Sequence, residues 1–142
     1  MKENIVCSGA LFYATGTKRF MFLQRTDKKT QGMWGLVGGR SKFTESAFEG
    51  LKREIEEETG SLPKFKKVIP LEMFTSNDQK FFFHTYLIAI ESEFIPKLNA
   101  EHSGYCWCAF ECWPKNLHMG LKNTLNNKSI KGKLQTILDL IV

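Results

Sequence analysis

Cysteine is scarce in this sequence, whose 142 residues include four, at positions 7, 106, 108 and 112. Small secreted domains that depend on disulfides carry a much higher density of cysteine. A chain of this length buries about 68–70% of its unfolded surface and needs no cross-links to fold. The composition therefore predicts a single domain, residues 1–142, in the reducing environment of the cytoplasm.

Long apolar runs are also missing. The run at 86–90 has five residues, whereas a membrane-spanning helix needs about 18 or more. Residues 5–14 are mostly apolar, but the acid at position 3 and the polar residues at 15–17 do not fit a secretion signal. The sequence has no internal repeat or low-complexity segment, so it predicts neither membrane contact nor a domain boundary.

Acidic residues are outnumbered overall but concentrated in one segment. The chain has 20 lysines and arginines against 15 acids, a net charge of +5, while residues 45–58 carry −4. A basic chain suggests an anionic partner, either a nucleotide or a nucleic acid. An acidic segment within it suits a site for metal cations and polyphosphate, although an exposed acidic helix face is the simpler alternative. The six acids are Glu45, Glu49, Glu54, Glu56, Glu57 and Glu58.

Apolar periodicity predicts strands and helices that alternate along the chain, as in a layered α/β domain. Thr44 or Ser46 could cap a helix, Ser46 and Glu49 have the spacing of a capping box, and Gly60 suits a helix end, so a helix is expected over about 45–59. Pro114 suits the first turn of a short helix. The other predicted elements are strands at 5–14, 20–24, 65–74, 80–90 and 105–110, a glycine-rich loop and short strand at 32–39, and an amphipathic helix at 129–142.

The predicted helix places three carboxylates on one face. At 100° per residue, Glu54, Glu57 and Glu58 fall within one sector, and Glu56 falls on the far side. An apolar stripe runs beside them, so the cluster lies at the edge of buried surface. Two small residues precede Glu54 on the same line and leave room for a loop or a substrate. The stripe contains Phe48, Leu51 and Ile55, and the small residues are Ala47 and Gly50.

Charge repulsion within this cluster requires a counter-charge. At about 4 Å, each pair of carboxylates costs on the order of 4 kcal/mol for an effective dielectric constant of about 20. Arg53 neighbours Glu57 and offsets part of this cost. Oxygen ligands without cysteine or histidine beside them are best satisfied by Mg²⁺ or Mn²⁺, which complete their coordination with water and phosphate oxygens. The cluster therefore predicts a divalent cation and a polyphosphate substrate.

Residues 39–61 resemble the Nudix box, G-x5-E-x7-R-E-U-x-E-E-x-G-U, in which U is aliphatic. The sequence departs from this pattern at the last position, where Ser61 replaces an aliphatic residue and Leu62 follows it. This difference affects how the chain packs after the end of the helix. The approach to the box and residues 101–107 also resemble the family. The matching box positions are Gly39, Glu45, Arg53, Glu54, Ile55, Glu57, Glu58 and Gly60, preceded by Gln24, Arg25, Gly32, Trp34 and Gly38.

The resemblance implies a single-domain α/β/α sandwich with a mixed central sheet, and hydrolysis of a pyrophosphate bond with Mg²⁺ or Mn²⁺ as cofactor. Glu57 and Glu58 would be metal ligands, and Glu54 a ligand or the base that activates water. Glu101 would add a loop carboxylate, as ligand or base, or be an ordinary exposed residue. The remaining implied roles are coordination by the main-chain carbonyl of Gly39, orientation of a glutamate by Arg53, bracing of loop and helix by Glu45, and substrate contact by Arg25 and Trp34.

The implied substrate is a nucleoside diphosphate linked to another group, such as ADP-ribose, a nucleotide sugar or a dinucleoside polyphosphate. Hydrolysis of nucleoside triphosphates, or binding of nucleotide or RNA without hydrolysis, are the alternatives. Some relatives carry a marker proline or tyrosine after the box, and residues 76–78, Ser-Asn-Asp, provide neither. The expected partner is a small-molecule nucleotide rather than a nucleic acid or a membrane, and a homodimer is compatible with the sequence.

A cysteine-rich strand near His102 could suggest a zinc site, but alternate strand positions do not form the turn that wraps this ion. Small buried hydrophobic residues are the preferred interpretation of its cysteines. His84 and His118 are assigned no role. The cysteines are Cys106, Cys108 and Cys112, and the aromatic residues that could stack on a base are Trp34, Phe74, Phe81 and Tyr105.

Overall fold

Seven strands and three helices follow one another along residues 4–141, the part of the chain that the computed structural model describes. The predicted strands are present with boundaries shifted by a few residues, and the glycine-rich segment forms two short strands. The elements are β1 (Ile5–Ala14), β2 (Arg19–Arg25), β3 (Trp34–Gly35), β4 (Val37–Arg40), α1 (Ala47–Thr59), β5 (Lys67–Thr75), β6 (Phe81–Ile90), β7 (His102–Ala109), α2 (Met119–Asn126) and α3 (Lys128–Leu140).

β1 is the central strand of a mixed sheet and changes partner along one edge. It runs parallel to β6 over its whole length, and its other edge pairs antiparallel with β4 at residues 7–10 and with β2 at residues 13–14. β5 and β7 extend the sheet antiparallel to β6 and β2. A Cβ atom at Gly38, whose φ is 156°, would overlap the carbonyl oxygen of Ser8. Glycine therefore permits β4 to enter the middle of the sheet.

Alternate residues of β1 separate two cores, one on each face of the sheet. Phe12 belongs to a buried cluster with Leu51 and Ile55 of α1. Leu11, its neighbour in sequence, belongs to a second cluster that is closed by α2 and α3. Helices therefore cover both faces, which confirms the predicted α/β/α sandwich with a mixed sheet. The buried residues of α2 and α3 in the second cluster are Leu121, Leu125 and Leu134.

Local hydrogen bonds set the ends of α1. The Ser46 hydroxyl accepts from the Glu49 amide at 3.1 Å, and the Glu49 carboxylate accepts from the Ser46 amide at 2.9 Å. This is the predicted capping box, and it starts the helix at Ala47 rather than at residue 45. At the other end, Gly60 adopts a left-handed conformation with φ of 74° and donates to the Glu56 carbonyl, as expected for a glycine that ends a helix.

The prediction that Pro114 opens a helix is wrong. The chain from 112 to 116 is irregular, and α2 begins only at Met119. His118 caps it, because its Nδ1 accepts a hydrogen bond from the Gly120 amide at 3.2 Å. The intervening segment is held by a bridge between Leu117 and β3, so a tertiary contact overrides the local preference of proline.

α3 is the predicted amphipathic helix at the end of the chain. The Asn127 side chain accepts from the amides of Ser129 and Ile130 and starts the helix at Lys128. Val142, the last residue of the predicted helix, lies outside the described residues. None of the helices within residues 4–141 combines the length and apolarity required to cross a bilayer.

Two helical glycines provide a matched test of how tightly the loop before α1 packs on it. A Cβ atom at Gly50 would overlap the Ser41 hydroxyl and lie 2.9 Å from Ser41 Cα, whereas one at Gly132 in α3 would meet no atom within 4 Å. Alanine at an open helical position is about 0.5–1 kcal/mol more stable than glycine. We expect Gly132→Ala to raise the free energy of unfolding in urea and Gly50→Ala to lower it. Equal gains in both variants would contradict the close packing of this loop.

Candidate metal centre

Arg53 is the centre of the carboxylate cluster on α1. Its Nε and Nη2 donate to the two carboxylate oxygens of Glu45 at 2.8 and 3.0 Å. Its Nη1 donates to Glu54 Oε1 at 2.8 Å and to Glu57 Oε2 at 3.2 Å. Nη2 also donates to the carbonyl oxygen of Arg40 at 3.1 Å. One planar guanidinium thus fixes three carboxylates and the strand end before the helix, which a lysine ammonium could not do in the same geometry.

Glu45 lies in the loop before α1, not within the helix as the predicted boundary implied. Its carboxylate accepts from the Lys42 amide at 2.7 Å in addition to its two bonds from Arg53. These hydrogen bonds, from Arg53 first and Lys42 second, lower the pKa of Glu45 to about 2. Hydrogen bonds to Glu45 and then Glu54 raise the pKa of Arg53 above its ordinary value. Loop and helix are therefore joined by groups that stay ionised at neutral pH.

Glu58 is the buried member of the cluster, with a side chain that is 2% exposed. Its Oε1 accepts from the Gly38 amide at 3.2 Å, and within residues 4–141 no arginine or lysine forms an ion pair with it. Burial, and then a hydrogen bond shared with Glu54, raise the pKa of its carboxyl to about 9. Without a bound cation, Glu58 therefore keeps a proton at neutral pH beside a second carboxylate.

Gly39 brings the backbone of β4 against the carboxylate of Glu54. A Cβ atom at this position would lie 2.7 Å from Glu54 Cδ and 2.8 Å from Oε2, so a larger residue would displace the carboxylate. Gly39 pairs with Ser8 of β1, and the Ser8 hydroxyl donates to the Ala47 carbonyl in the first turn of α1 at 3.1 Å. Strand and helix are thus held in a fixed relation, with the main chain of Gly39 beside the carboxylates.

The loop before β7 brings further polar residues to the end of α1. Asn99 Nδ2 donates to the Glu57 carbonyl, and Asn99 Oδ1 accepts from the Glu101 amide, both at 3.0 Å. Glu101 and His102 are thereby placed near Glu58, and one ligand atom of each of these three residues lies within 4.8 Å of the others. Glu101 is exposed, whereas Glu58 and His102 are buried.

His102 is a site residue that sequence reasoning did not assign to the carboxylate cluster. Its Nδ1 lies 4.0 Å from Glu58 Oε1 and has no hydrogen-bond partner in the described part of the chain. Burial, followed by the positive charge of Arg25, lowers the pKa of His102. One indication of this location is present in the sequence, because His102 directly follows Glu101 in the segment that resembles the later loop of the family.

The cysteines that follow His102 do not belong to the group that it forms with Glu58 and Glu101. Cys106 and Cys108 lie beside the second core with their Sγ atoms 3.6 Å apart, and Cys112 is exposed. Burial is the main cause that raises the pKa of Cys106 to about 12, so this side chain remains a neutral thiol. Among residues 4–141, no cysteine belongs to a group with the spacing of metal ligands. Cys106 and Cys108 are half-buried against the second core, in agreement with their interpretation as small hydrophobic residues, whereas this interpretation is wrong for Cys112, which is exposed.

Arg25 and Trp34, the predicted substrate contacts, lie on strands close to His102. Arg25 pairs with His102 across β2 and β7, and Trp34 lies on β3, which also pairs with β2. Arg25 Nε donates to Asp27 Oδ1 at 3.1 Å and to Thr30 Oγ1 at 2.8 Å, while its Nη atoms have no hydrogen-bond partner among the described residues. Trp34 is half-buried against the second core. Of the other aromatic candidates, Phe74 and Tyr105 are exposed and Phe81 is half-buried.

The donor set fits a hard divalent cation. The Glu54 carboxylate lies against Gly39, shares a hydrogen bond with Glu58 and is linked to Glu57 through Arg53. These three carboxylates do not bring one ligand atom each within 4.8 Å of the others, as Glu58, Glu101 and His102 do. Oxygen donors of this kind suit Mg²⁺ or Mn²⁺. A cation at Glu58 would take the place of its proton, because a metal ligand must be deprotonated.

Glu58→Gln tests the raised pKa. A glutamate in the unfolded chain titrates near pH 4.5 and Glu58 in the folded chain near pH 9, so between these values the folded chain binds more protons. The stability that protonated Glu58 contributes to the fold is fully present below the unfolded pKa of 4.5 and is lost as the pH rises through the folded pKa of about 9. In EDTA, we expect the Tm of the wild type to fall relative to that of Glu58→Gln across this window. A Tm difference that does not change with pH would contradict the raised pKa.

The chain is similar to known proteins in sequence pattern and in fold. A family model, the NUDIX domain, matches residues 5–127, and no curated protein matches the chain significantly. A MutT protein from Methanosarcina mazei Go1 is 22% identical over 94% of this chain and 97% of its own, with a TM-score of 0.71. An Ap4A hydrolase from C. elegans is 18% identical over 95% and 99%, with a TM-score of 0.71. An ADP-ribose pyrophosphatase from Streptococcus suis 89-1591 is 16% identical over 92% and 91%, with a TM-score of 0.68.

These structures share the fold at low identity, and the family match covers most of the chain. The segment that resembles the Nudix box, residues 39–61, lies within the matched range. This chain belongs to the Nudix hydrolase family.

Proposed function

We propose that this pyrophosphohydrolase requires Mg²⁺ or Mn²⁺ and cleaves a nucleoside diphosphate that is linked to another group. The observation that carries the proposal is the set of three carboxylates, Glu54, Glu57 and Glu58, held together on α1 although they repel one another. Arg53 compensates two of them, and Glu58 is buried without an arginine or lysine partner among the described residues. A protein that only binds nucleotide would gain nothing from this arrangement.

The cation would be held by Glu57, Glu58 and the main-chain carbonyl of Gly39, with Glu54 as a further ligand. The Glu57 side chain is 53% exposed and the Glu58 side chain 2% exposed. The ligands therefore lie at the boundary between solvent and the protein interior. When bound, the cation supplies charge that polarises the phosphoryl oxygens of the substrate. Glu101, on the loop before β7, would be the fourth carboxylate of the site.

The chain's own residues position the reactants and move one proton. Glu54 or Glu101 accepts the proton of the attacking water as its oxygen bonds to phosphorus, and the oxygen that bridges to the second phosphorus leaves. Arg53 acts as a positioning residue, because it holds Glu54 and Glu57 without needing to touch substrate. Glu45 ties the loop to the helix so that the Gly39 carbonyl stays beside the carboxylates. Catalysis on this account is mainly electrostatic and positional.

Two of the similar structures support the substrate class, since one is an Ap4A hydrolase and another an ADP-ribose pyrophosphatase. The excess of basic residues outside 45–58 also favours a polyphosphate anion. We propose a small-molecule nucleotide derivative as the partner, the cytoplasm as the location, and one Nudix domain over residues 1–142. Arg25 would contact phosphate through its Nη atoms, and the ring of Trp34 would contact the base.

A panel of nucleotides incubated with and without Mg²⁺ tests the proposal. The panel contains ADP-ribose, a nucleotide sugar, a dinucleoside polyphosphate and a nucleoside triphosphate, and chromatography measures the phosphate-containing products. We expect Mg²⁺-dependent turnover that falls about 100-fold or more in Glu57→Gln, because an amide lacks the charge that holds the cation. Glu56→Gln, which alters the exposed far side of the same helix, is the matched control and should keep wild-type turnover.

The outcomes of this assay separate an enzyme from a binding module. Turnover that is lost in Glu57→Gln and kept in Glu56→Gln supports the enzyme. Nucleotide binding without turnover, unaffected by Glu57→Gln, would identify a non-catalytic module. Efficient cleavage of the triphosphate alone would contradict the substrate class but not the hydrolase.

Arg53→Lys tests the positioning role of the guanidinium. Lysine keeps the charge but cannot hold Glu45, Glu54 and Glu57 together, so we expect kcat to fall about 10–100-fold with a higher Mg²⁺ requirement. KM for the nucleotide should change little. The neighbouring exposed residue provides the control, and Lys52→Arg should keep wild-type kinetics. A loss confined to KM would show that Arg53 binds substrate instead.

A further inference from the structure

Cys106 and Cys108 form a pair of thiols on β7, outside the carboxylate cluster of α1. Their Sγ atoms lie 3.6 Å apart. Both side chains are half-buried beside the second core, which lies on the opposite face of the sheet from α1. The reaction proposed above uses neither thiol, so the contact between them is open to a separate chemistry.

A disulfide does not fit this pair, because both residues belong to one extended strand. Side chains two residues apart in a strand point to the same face, with their Cα and Cβ atoms separated by about 6.4–6.8 Å. A disulfide requires Cβ atoms about 3.5–4.5 Å apart. Pairing with β2, in which Cys106 lies opposite Phe22 and Cys108 opposite Phe20, keeps β7 extended. The two sulfurs therefore lie in contact but cannot bond to each other while this pairing is intact.

A single atom placed between the sulfurs fits the same geometry. With bonds of about 2.3 Å, the length of a zinc–thiolate bond, two sulfurs 3.6 Å apart form an angle of about 103° at the bridging atom. This angle is close to that of tetrahedral coordination. The thiols can therefore chelate one atom without a change in the backbone of β7.

The number of available ligands decides which atom suits the pair. Within residues 4–141, no third cysteine, histidine or carboxylate brings a ligand atom to within 4.8 Å of both sulfurs. A structural zinc ion needs four ligands, and its cysteines must lose their protons. Burial raises the pKa of Cys106 to about 12, which opposes that loss. The pair therefore suits an atom that needs only two sulfurs and reacts with neutral thiols.

Both thiols can be reached in the folded chain. Neither side chain is fully buried, and among the described residues β7 pairs with β2 alone. β7 is thus an edge strand of the part of the sheet that the structure describes. A reagent can approach the pair without separating the strand from its neighbour.

We propose that Cys106 and Cys108 form a dithiol site for trivalent arsenic that carries one organic group, represented by phenylarsine oxide. Each sulfur forms a bond to arsenic, the arsenic–oxygen bond breaks, and the oxygen leaves as water with the two thiol protons. Arsenic remains trivalent, so the step needs no oxidant or reductant. The bond to the organic group is the third bond of the arsenic, which then needs no further ligand. This site is independent of the proposed function.

Mass spectrometry of the intact folded protein after incubation with phenylarsine oxide tests the proposal. We expect one adduct per chain. Alkylation in denaturant should then label two thiols, whereas untreated protein has four cysteines to label. The adduct should survive an excess of a monothiol, because a second linked bond strengthens binding by about 10²–10⁴-fold. A small dithiol should remove it.

Three alanine variants separate the pair from the other thiols. Cys106→Ala and Cys108→Ala should each lose the adduct that resists a monothiol, and should bind phenylarsine oxide about 100-fold or more weakly. Cys112→Ala removes an exposed thiol from the same segment, so it is the matched control and should keep the adduct. Tandem mass spectrometry of the wild-type adduct locates the protected thiols, which preserves the test if a variant does not fold.

Several results would overturn the inference. These are a resistant adduct in Cys106→Ala, protection of Cys7 or Cys112 instead of the pair, and an adduct that forms only after denaturation. Conversion of the pair to a disulfide in the folded chain by a mild oxidant would contradict the argument from the strand geometry. None of these measurements involves nucleotide hydrolysis, so their failure is distinct from failure of the proposed function.

Discussion

The attraction of one guanidinium for three carboxylates is the constraint on which this site depends. Arg53 holds Glu45, Glu54 and Glu57 with hydrogen bonds of 2.8 to 3.2 Å, and so joins the loop before α1 to the helix itself. Glu58 is left out of this network and is buried. The uncompensated carboxyl must therefore share a proton with its neighbour or meet a cation, and this choice couples the stability of the fold to its chemistry.

The sheet places the backbone of β4 beside the carboxylates of α1. One edge of β1 pairs with β4 at residues 7–10 and with β2 at residues 13–14. The absence of a side chain at Gly38 and Gly39 allows β4 to lie close to both β1 and Glu54. The capping box at Ser46 starts α1 at the point where this loop ends. Two cores then fix the helix on one face of the sheet and the C-terminal helices on the other.

Features that depend on neighbouring residues could be predicted from the sequence, whereas contacts between distant segments could not. The carboxylate face of α1 and its capping box follow from helical spacing and were predictable. The approach of His102 to Glu58 depends on a loop that folds back through Asn99, and no periodicity reports such a contact. Pro114 was misinterpreted because a bridge between Leu117 and β3 holds that segment. The resemblance to the Nudix box supplied the family, but substrate choice depends on surfaces that the box does not contain.

Anomalous diffraction at the manganese edge from crystals soaked in Mn²⁺ tests the central claim most directly. The account predicts an anomalous peak within coordination distance of Glu57 and Glu58, adjoining the Gly39 carbonyl, with Glu54 drawn toward the same point. Carboxylates that stay apart from one another, with no anomalous peak between them at saturating Mn²⁺, would contradict it.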